Sequence, residues 1–315
     1  MKLGEATKNY LYAFLANGNS PTSTESYKYY HKRWISYMGD PEVETITTDQ
    51  LRKFFYHLHT ETRLSPLTIQ KFWTTIRSFY NWASPELGIK RPDDGIPKPK
   101  ASSKAVVPFV QFEIIALLKA CNYTVLAETN GRKPFCMPRP TALRDKAMVL
   151  LFTDTGLRSS EVARLRINDL DLRKGELFVQ PYLSGVKSKS RTVYIGRITA
   201  AALLNYLTRR GGRGECKDMD PLFAEWNNAF MTRDAIYNVI SNIGKRAGVR
   251  DTHPHRFRHT FAIQLLRNGG DIFSLQRLLG HSSLEMVQHY LAIVQSDAAN
   301  AHHKAGPVDR WALKA

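Results

Sequence analysis

The chain has 315 residues, of which 43% are hydrophobic and 11% aromatic, and 45 basic against 28 acidic side chains give a formal charge of +17. That apolar content excludes a mainly disordered chain, and the length suggests two domains. The basic surplus predicts a polyanionic partner, nucleic acid foremost, beside the plainer reading of a basic surface that serves solubility. Residues 1–100 hold 14 basic and 10 acidic side chains (+4), leaving 31 and 18 (+13) for the rest, so the second part carries most of the field.

The first 84 residues read as helical throughout. In "TTDQLRKFFYHLHTE", Thr47 and Gln50 form a capping box ahead of Leu51, Phe54, Phe55 and Leu58. In "SPLTIQKFWTTIRSFYNWAS", Ser65 is the N-cap and Pro66 the first helical residue, and Ile69, Phe72, Trp73, Ile76, Phe79 and Tyr80 recur every three or four positions. Lys71 and Arg77 fall off that stripe, where they are solvated charges or contacts to phosphate. "GIKRPDDGIPKPKASSKAVVP" breaks the pattern with Pro92, Pro97 and Pro99, and reads as a semi-extended basic linker whose Lys98 and Lys100 suit a strap over DNA. The expected organisation is a helical DNA-binding domain over 1–90, a linker over 91–107 and a second domain over 108–315, closing around a duplex as a C-shaped clamp.

The second part opens on a helix carrying Phe112, Ile115, Leu117 and Leu118, followed by a polar, proline-rich loop over 122–140. "TALRDKAMVLLFTDTG" is a buried helix ending at Gly156, and another starts in "LRSSEVARLRINDLD". "GELFVQPY" and "RTVYIG" alternate as two short strands around a lysine-rich turn, "LSGVKSKS". The remainder is helical, with a stop at Gly269-Gly270 and a capping box of Ser282 and Glu285. The expected fold is mainly α with a small antiparallel sheet. Cys121, Cys136 and Cys216 are scattered and odd in number, which fits a reducing cytoplasm. The opening residues lack a signal-peptide core, and no apolar run approaches membrane-spanning length. A cytoplasmic, nucleoid-associated protein without membrane contact is expected.

"HPHRFRHTF", from His253 to Phe261, concentrates three histidines and two arginines. His255 and His259 stand at a zinc-like spacing, but no acid or cysteine lies in the cluster, and Arg256 and Arg258 would repel a divalent cation, so no metal is expected. Arginine pairs with phosphate oxygens, histidine moves protons near neutral pH, and His255 and Arg258 share a helical face. On the cluster alone, a phosphate-handling site and a basic helix lying on DNA stand about even.

Here the sequence resembles the tyrosine site-specific recombinases, the phage integrase and Xer-type family. "TGLRSSE" matches that family's first arginine motif and supplies Arg158 and Glu161; "PHRFRHTF" matches H-x-x-R and supplies His255 and Arg258; "LLGHSS" supplies His281, and Tyr290 follows nine residues later in "MVQHYL". The resemblance covers the whole chain and implies a helical, SAM-like core-binding domain ahead of the catalytic domain. It implies a catalytic lysine in the turn "SGVKSKSR", Lys187 or alternatively Lys189, which departs from the family spacing by one residue. With Arg191 and Arg256, Lys189 completes the expected DNA contacts. The implied reaction is attack by Tyr290 on a phosphodiester through a 3′-phosphotyrosyl intermediate, with neither metal, ATP nor other cofactor. Strand exchange between two duplex sites implies a homotetramer and a four-way junction, with the segment from Ser296 onward, anchored by Trp311 and Leu313, docking on a neighbour. Integration, excision or resolution of a mobile element is the expected role. A type IB topoisomerase-like enzyme and a silent DNA-binding relative are the alternatives.

Overall fold

The computed structural model describes residues 1–101, 107–125, 135–181, 190–211, 217–280 and 290. The chain divides into two units, Met1–Ala105 and Val106–Ala315. In the first, four helices are α1 (Leu3–Ala16), α2 (Pro21–Met38), α3 (Thr48–Thr60) and α4 (Pro66–Leu87). Their starts are set by side chains that accept otherwise orphaned backbone N–H groups. Ser20 accepts from Ser23 and Ser65 from Thr68, and Thr47 and Gln50 close a reciprocal capping box. The apolar stripe of α4 meets that of α3: Leu51, Phe54, Leu58, Ile69, Phe72, Ile76, Phe79 and Tyr80 are all buried in one core with Trp34.

That core extends beyond the expected linker boundary. Pro92–Gly95 form a 3-10 turn with Pro92 and Asp93 buried, Ile96 joins the core, and Trp73 Nε1 donates to the Ile96 carbonyl at 3.0 Å and Gln70 to that of Pro99 at 3.1 Å. The first part of the semi-extended linker is therefore attached to the first unit as far as Pro99, because Ile96 is buried and the Ile96 and Pro99 carbonyls have partners on α4.

The second unit contains α5 (Gln111–Ala120), α6 (Ala142–Thr155), α7 (Ser159–Val162), strands β1 (Leu170–Asp171), β2 (Glu176–Val179) and β3 (Arg191–Tyr194), then α8 (Arg197–Gly211), α9 (Arg233–Ala247), α10 (Pro254–Arg267) and α11 (Ile272–Leu279). The protein is mainly helical with a three-stranded antiparallel sheet in the order β1-β2-β3. Leu177 faces Val193 across the β2–β3 pair, and both are buried. Helix α5 contributes less to the core than its apolar residues suggest: Leu117 is buried, whereas Phe112 is 73% exposed. Among the described residues no helix is long and apolar enough to cross a membrane.

Candidate active site

The site is assembled where the ends of α6 and α11 meet the start of α10. Helix α6 stops at Gly156 in the left-handed conformation (φ 60°), and a Cβ there would lie 2.7 Å from Phe261 Cδ1 and 3.1 Å from Leu279 Cδ2. Only glycine suits that backbone beside so close a packing. Two residues on, Arg158 caps α7, its backbone N–H donating to Glu161 Oε2 at 2.8 Å and its Nη1 to Oε1 at 3.2 Å.

Helix α10 begins with Pro254 in its first turn and His253 as cap, whose Nδ1 accepts the backbone N–H of Arg256 at 3.2 Å. His253 therefore works as a helix cap. Arg258, one turn on, is 3% exposed, and donates from Nη1 to the Gly156 carbonyl at 2.9 Å and from Nη2 to the Leu279 carbonyl at 2.6 Å. Burial, then the charge of Arg158, lowers its pKa to about 9, which still leaves it cationic at neutral pH. Tyr290 is buried against Ala262, Ile263, Leu275 and Leu279, and its ring lies 5.3 Å from that of His259, which lies 5.9 Å from that of His255. Burial raises the phenol above its ordinary pKa, and Arg258 and Arg158 oppose that shift.

His255 reaches solvent beside a cleft lined by Ser159, Arg233, Tyr237 and His253. Desolvation of part of its ring, followed by Arg258, His253 and Arg158, lowers its pKa below the histidine norm, which favours the neutral imidazole. Glu161 is 4% exposed. Burial disfavours its charge, but hydrogen bonding and charge from Arg191, then Arg158, win, and its carboxyl sits below the usual range. Arg158, Glu161, His255, Arg258 and Tyr290 thus converge in one electrostatic neighbourhood. Lys187, Lys189, His281, the Ser282–Glu285 cap and the C-terminal segment with Trp311 and Leu313 lie outside the described residues.

Three residues expected on DNA have other work in the fold. Arg256 is 7% exposed; its Nη2 donates to both Glu113 oxygens at 2.9 and 2.8 Å, Nη1 to the Arg250 carbonyl and Nε to that of Val107, and its guanidinium stands 3.9 Å over the Phe109 ring. Arg191 is bound to Glu161 and to the Leu278 carbonyl. Arg77 lies 3.5 Å from Asp93 and 3.6 Å from Asp94, and 5.3 Å over Trp73. Sequence spacing identified these as basic but not the distant acids that bind them, 143 positions away for Arg256. Lys71, Lys98 and Lys100 are exposed. The residues that sequence reasoning left out are Arg191 as part of the Arg158–Glu161 network, and His259 beside Tyr290. For His259 the sequence carried a signal, its i,i+4 spacing from His255.

Residues 110–296 match the model of the phage integrase family, and residues 8–86 that of the phage integrase N-terminal SAM-like domain. The chain is 30% identical over 276 residues to tyrosine recombinase XerC of Xanthomonas campestris pv. campestris, covering 87% of this chain and 78% of that protein. It is 28% identical to tyrosine recombinase XerD of Halalkalibacterium halodurans, covering 93% and 95%. Its fold is similar to that of a lambda integrase dimer bound to a COC′ core site (TM-score 0.69, 18% identity, covering 91% and 97%) and to XerH site-specific recombinase bound to a palindromic difH substrate (TM-score 0.67, 19% identity, covering 91% and 80%).

Proposed function

This chain belongs to the phage integrase family and is a tyrosine recombinase, an enzyme that breaks and rejoins DNA; from that premise we propose that Tyr290 is its nucleophile and that Arg158, His255 and Arg258 form the phosphate-handling group around it. The observation that carries this reading is that three separate stretches of chain meet at the end of α11: Arg258 donates to the Leu279 carbonyl, Tyr290 packs in the same cluster as Leu279, Arg158 reaches that end through Glu161 and Arg191, and His255 lies one ring beyond His259 from Tyr290.

A phenol whose pKa is raised by burial is protonated at neutral pH, so attack needs a route for its proton. His255, one ring beyond the His259 that adjoins Tyr290, assists that proton's movement. The Tyr290 oxygen forms a bond to the scissile phosphorus as the bond to the 5′-oxygen breaks, giving a 3′-phosphotyrosyl linkage. The departing 5′-oxygen takes a proton from Lys187, or from Lys189, and leaves as a hydroxyl. Arg158 and Arg258 stabilise the charge that grows on the non-bridging oxygens, His281 adds a hydrogen bond there, and Glu161 orients Arg158. A phosphodiester is exchanged for a phosphoester of similar energy, so attack by the 5′-hydroxyl of a partner strand restores the DNA without ATP.

Lys71, Lys98 and Lys100, exposed on the first unit, suit contacts to the DNA backbone. Two duplex sites in exchange imply a homotetramer passing through a four-way junction, with the C-terminal segment joining neighbours. The role is integration, excision or resolution of a mobile element on nucleoid DNA in the cytoplasm. The deciding experiment incubates the protein with a library of nicked duplexes, denatures it in detergent and sequences the DNA that stays bound. Wild type is expected to yield adducts at one site, and Tyr290→Phe none. Adducts that persist in Tyr290→Phe would overturn the assignment, and DNA binding without adducts from wild type would point to a silent relative.

A further inference from the structure

Glu161 is a single buried carboxylate between two guanidinium groups, and the two hold it unequally. Arg191, whose side chain is 8% exposed, pairs with both oxygens, Nη1 with Oε1 and Nη2 with Oε2, each at 3.0 Å. Its remaining nitrogen, Nε, donates to the Leu278 carbonyl at 2.7 Å. Arg158, with a side chain 30% exposed, has one side-chain hydrogen bond to the same carboxylate, at 3.2 Å. The turn that ends α11 closes over Arg191: Gly280 is left-handed (φ 64°), and a Cβ there would lie 2.9 Å from Arg191 Nη1. The next carbonyl of that helix end, Leu279, holds Arg258. Two arginines are thus moored to the negative end of one helix, one facing Gly156 and the other facing Glu161.

The arrangement has a consequence for Arg158. A buried carboxylate without a cation is strongly disfavoured and takes whichever partner is in reach, and a two-point pair with arginine is its best geometry. Arg158 lies three residues from Glu161, already in contact. We propose that Arg191 is a positioning residue: by holding Glu161 in a two-point pair it prevents the carboxylate from closing the same pair on Arg158, and so keeps the Arg158 guanidinium available to the scissile phosphate. The inference rests on the reading of Arg158 as a phosphate contact.

The test uses the full-length protein and nicked duplexes carrying the site recovered by covalent trapping. The scissile position holds either a phosphodiester or a methylphosphonate, in which a methyl group replaces one non-bridging oxygen and removes the negative charge. Adduct formation by Arg191→Ala is expected to slow by about 100-fold on the diester, the order of loss a misplaced catalytic group produces. Most of that deficit should disappear on the neutral methylphosphonate, which asks less of Arg158. The double variant Arg191→Ala/Glu161→Gln should be faster than Arg191→Ala alone, because an uncharged amide no longer captures Arg158. An equal deficit on both substrates, or a double variant slower than the single, would overturn the proposal and leave Arg191 a structural residue. Should Arg191→Ala fail to fold, Arg191→Lys carries the same comparison, since lysine keeps the charge but cannot make the two-point pair. If wild type forms no adduct, the reading of the active site fails, and a crystal structure of the Arg191 variant still decides this inference. Two-point pairing of Arg158 with Glu161 supports it, and an unchanged single contact refutes it.

Discussion

Arg256 and Arg258 stand two apart on one helix, both nearly buried, yet they serve different ends. Arg256 is satisfied by Glu113, two carbonyls and the Phe109 face. Arg258 is held by the Gly156 and Leu279 carbonyls, within the electrostatic reach of Arg158 and Tyr290. Removing Glu113 from the part-buried Arg256–Glu113 pair strands the nearly enclosed Arg256 charge, so Glu113→Ala is expected to lose about 2 kcal/mol in urea unfolding, with the salt dependence of DNA binding unchanged. His31 is a second buried group with a measurable signature. The rings of Tyr10, Tyr27, Trp34 and Phe79 surround it, and burial, offset in part by the backbone of Thr75, lowers its pKa from 6.5 to about 3. The unfolded chain therefore gains a proton near pH 6.5 that the folded chain refuses until about pH 3. Stability is full above the first value and falls with pH across that window. His31→Phe should flatten the decline, as read by denaturant midpoints between pH 7 and pH 4. The sequence showed a histidine and arginines; it did not show which of them would be enclosed, because enclosure depends on chain segments far away.

At the scale of elements, the helices were legible wherever capping and periodicity agree. Thr47 with Gln50 and Ser65 with Pro66 open α3 and α4 as their chemistry requires. Thr47→Ala is expected to cost about 1 kcal/mol, seen as a lower thermal midpoint. Gly244, inside α9, shows the opposite case. Helix propensity alone would favour alanine there by about 1 kcal/mol. A Cβ at that position would collide with the side chain of Thr252, and forced overpacking costs about 1–3 kcal/mol. The clash wins, so Gly244→Ala should lower the melting temperature. Helix α5 was legible as a helix but not in its orientation: its apolar residues lie around the cylinder, so periodicity did not identify Leu117 as the buried one.

At the scale of the molecule, the charge of +17 predicts a steep loss of DNA affinity with salt. Replacing Lys98 and Lys100 by alanine should reduce the slope of log affinity against log salt by about 0.9 for each phosphate contact removed, with little change in cleavage rate on saturated DNA. The sequence by itself determined the helical class, the caps at Thr47 and Ser65 and the small antiparallel sheet, all of which rest on local stereochemistry or short-range spacing. It singled out Arg158, His255, Arg258 and Tyr290 through the resemblance of their motifs to those of the tyrosine recombinases. Only the tertiary structure decided what each cation faces. Arg256 went to an acid 143 residues away and Arg191 to one 30 residues away, while Pro92, Asp93 and Ile96 became buried. Pairing across such separations is set by how helices pack, and no local pattern encodes it.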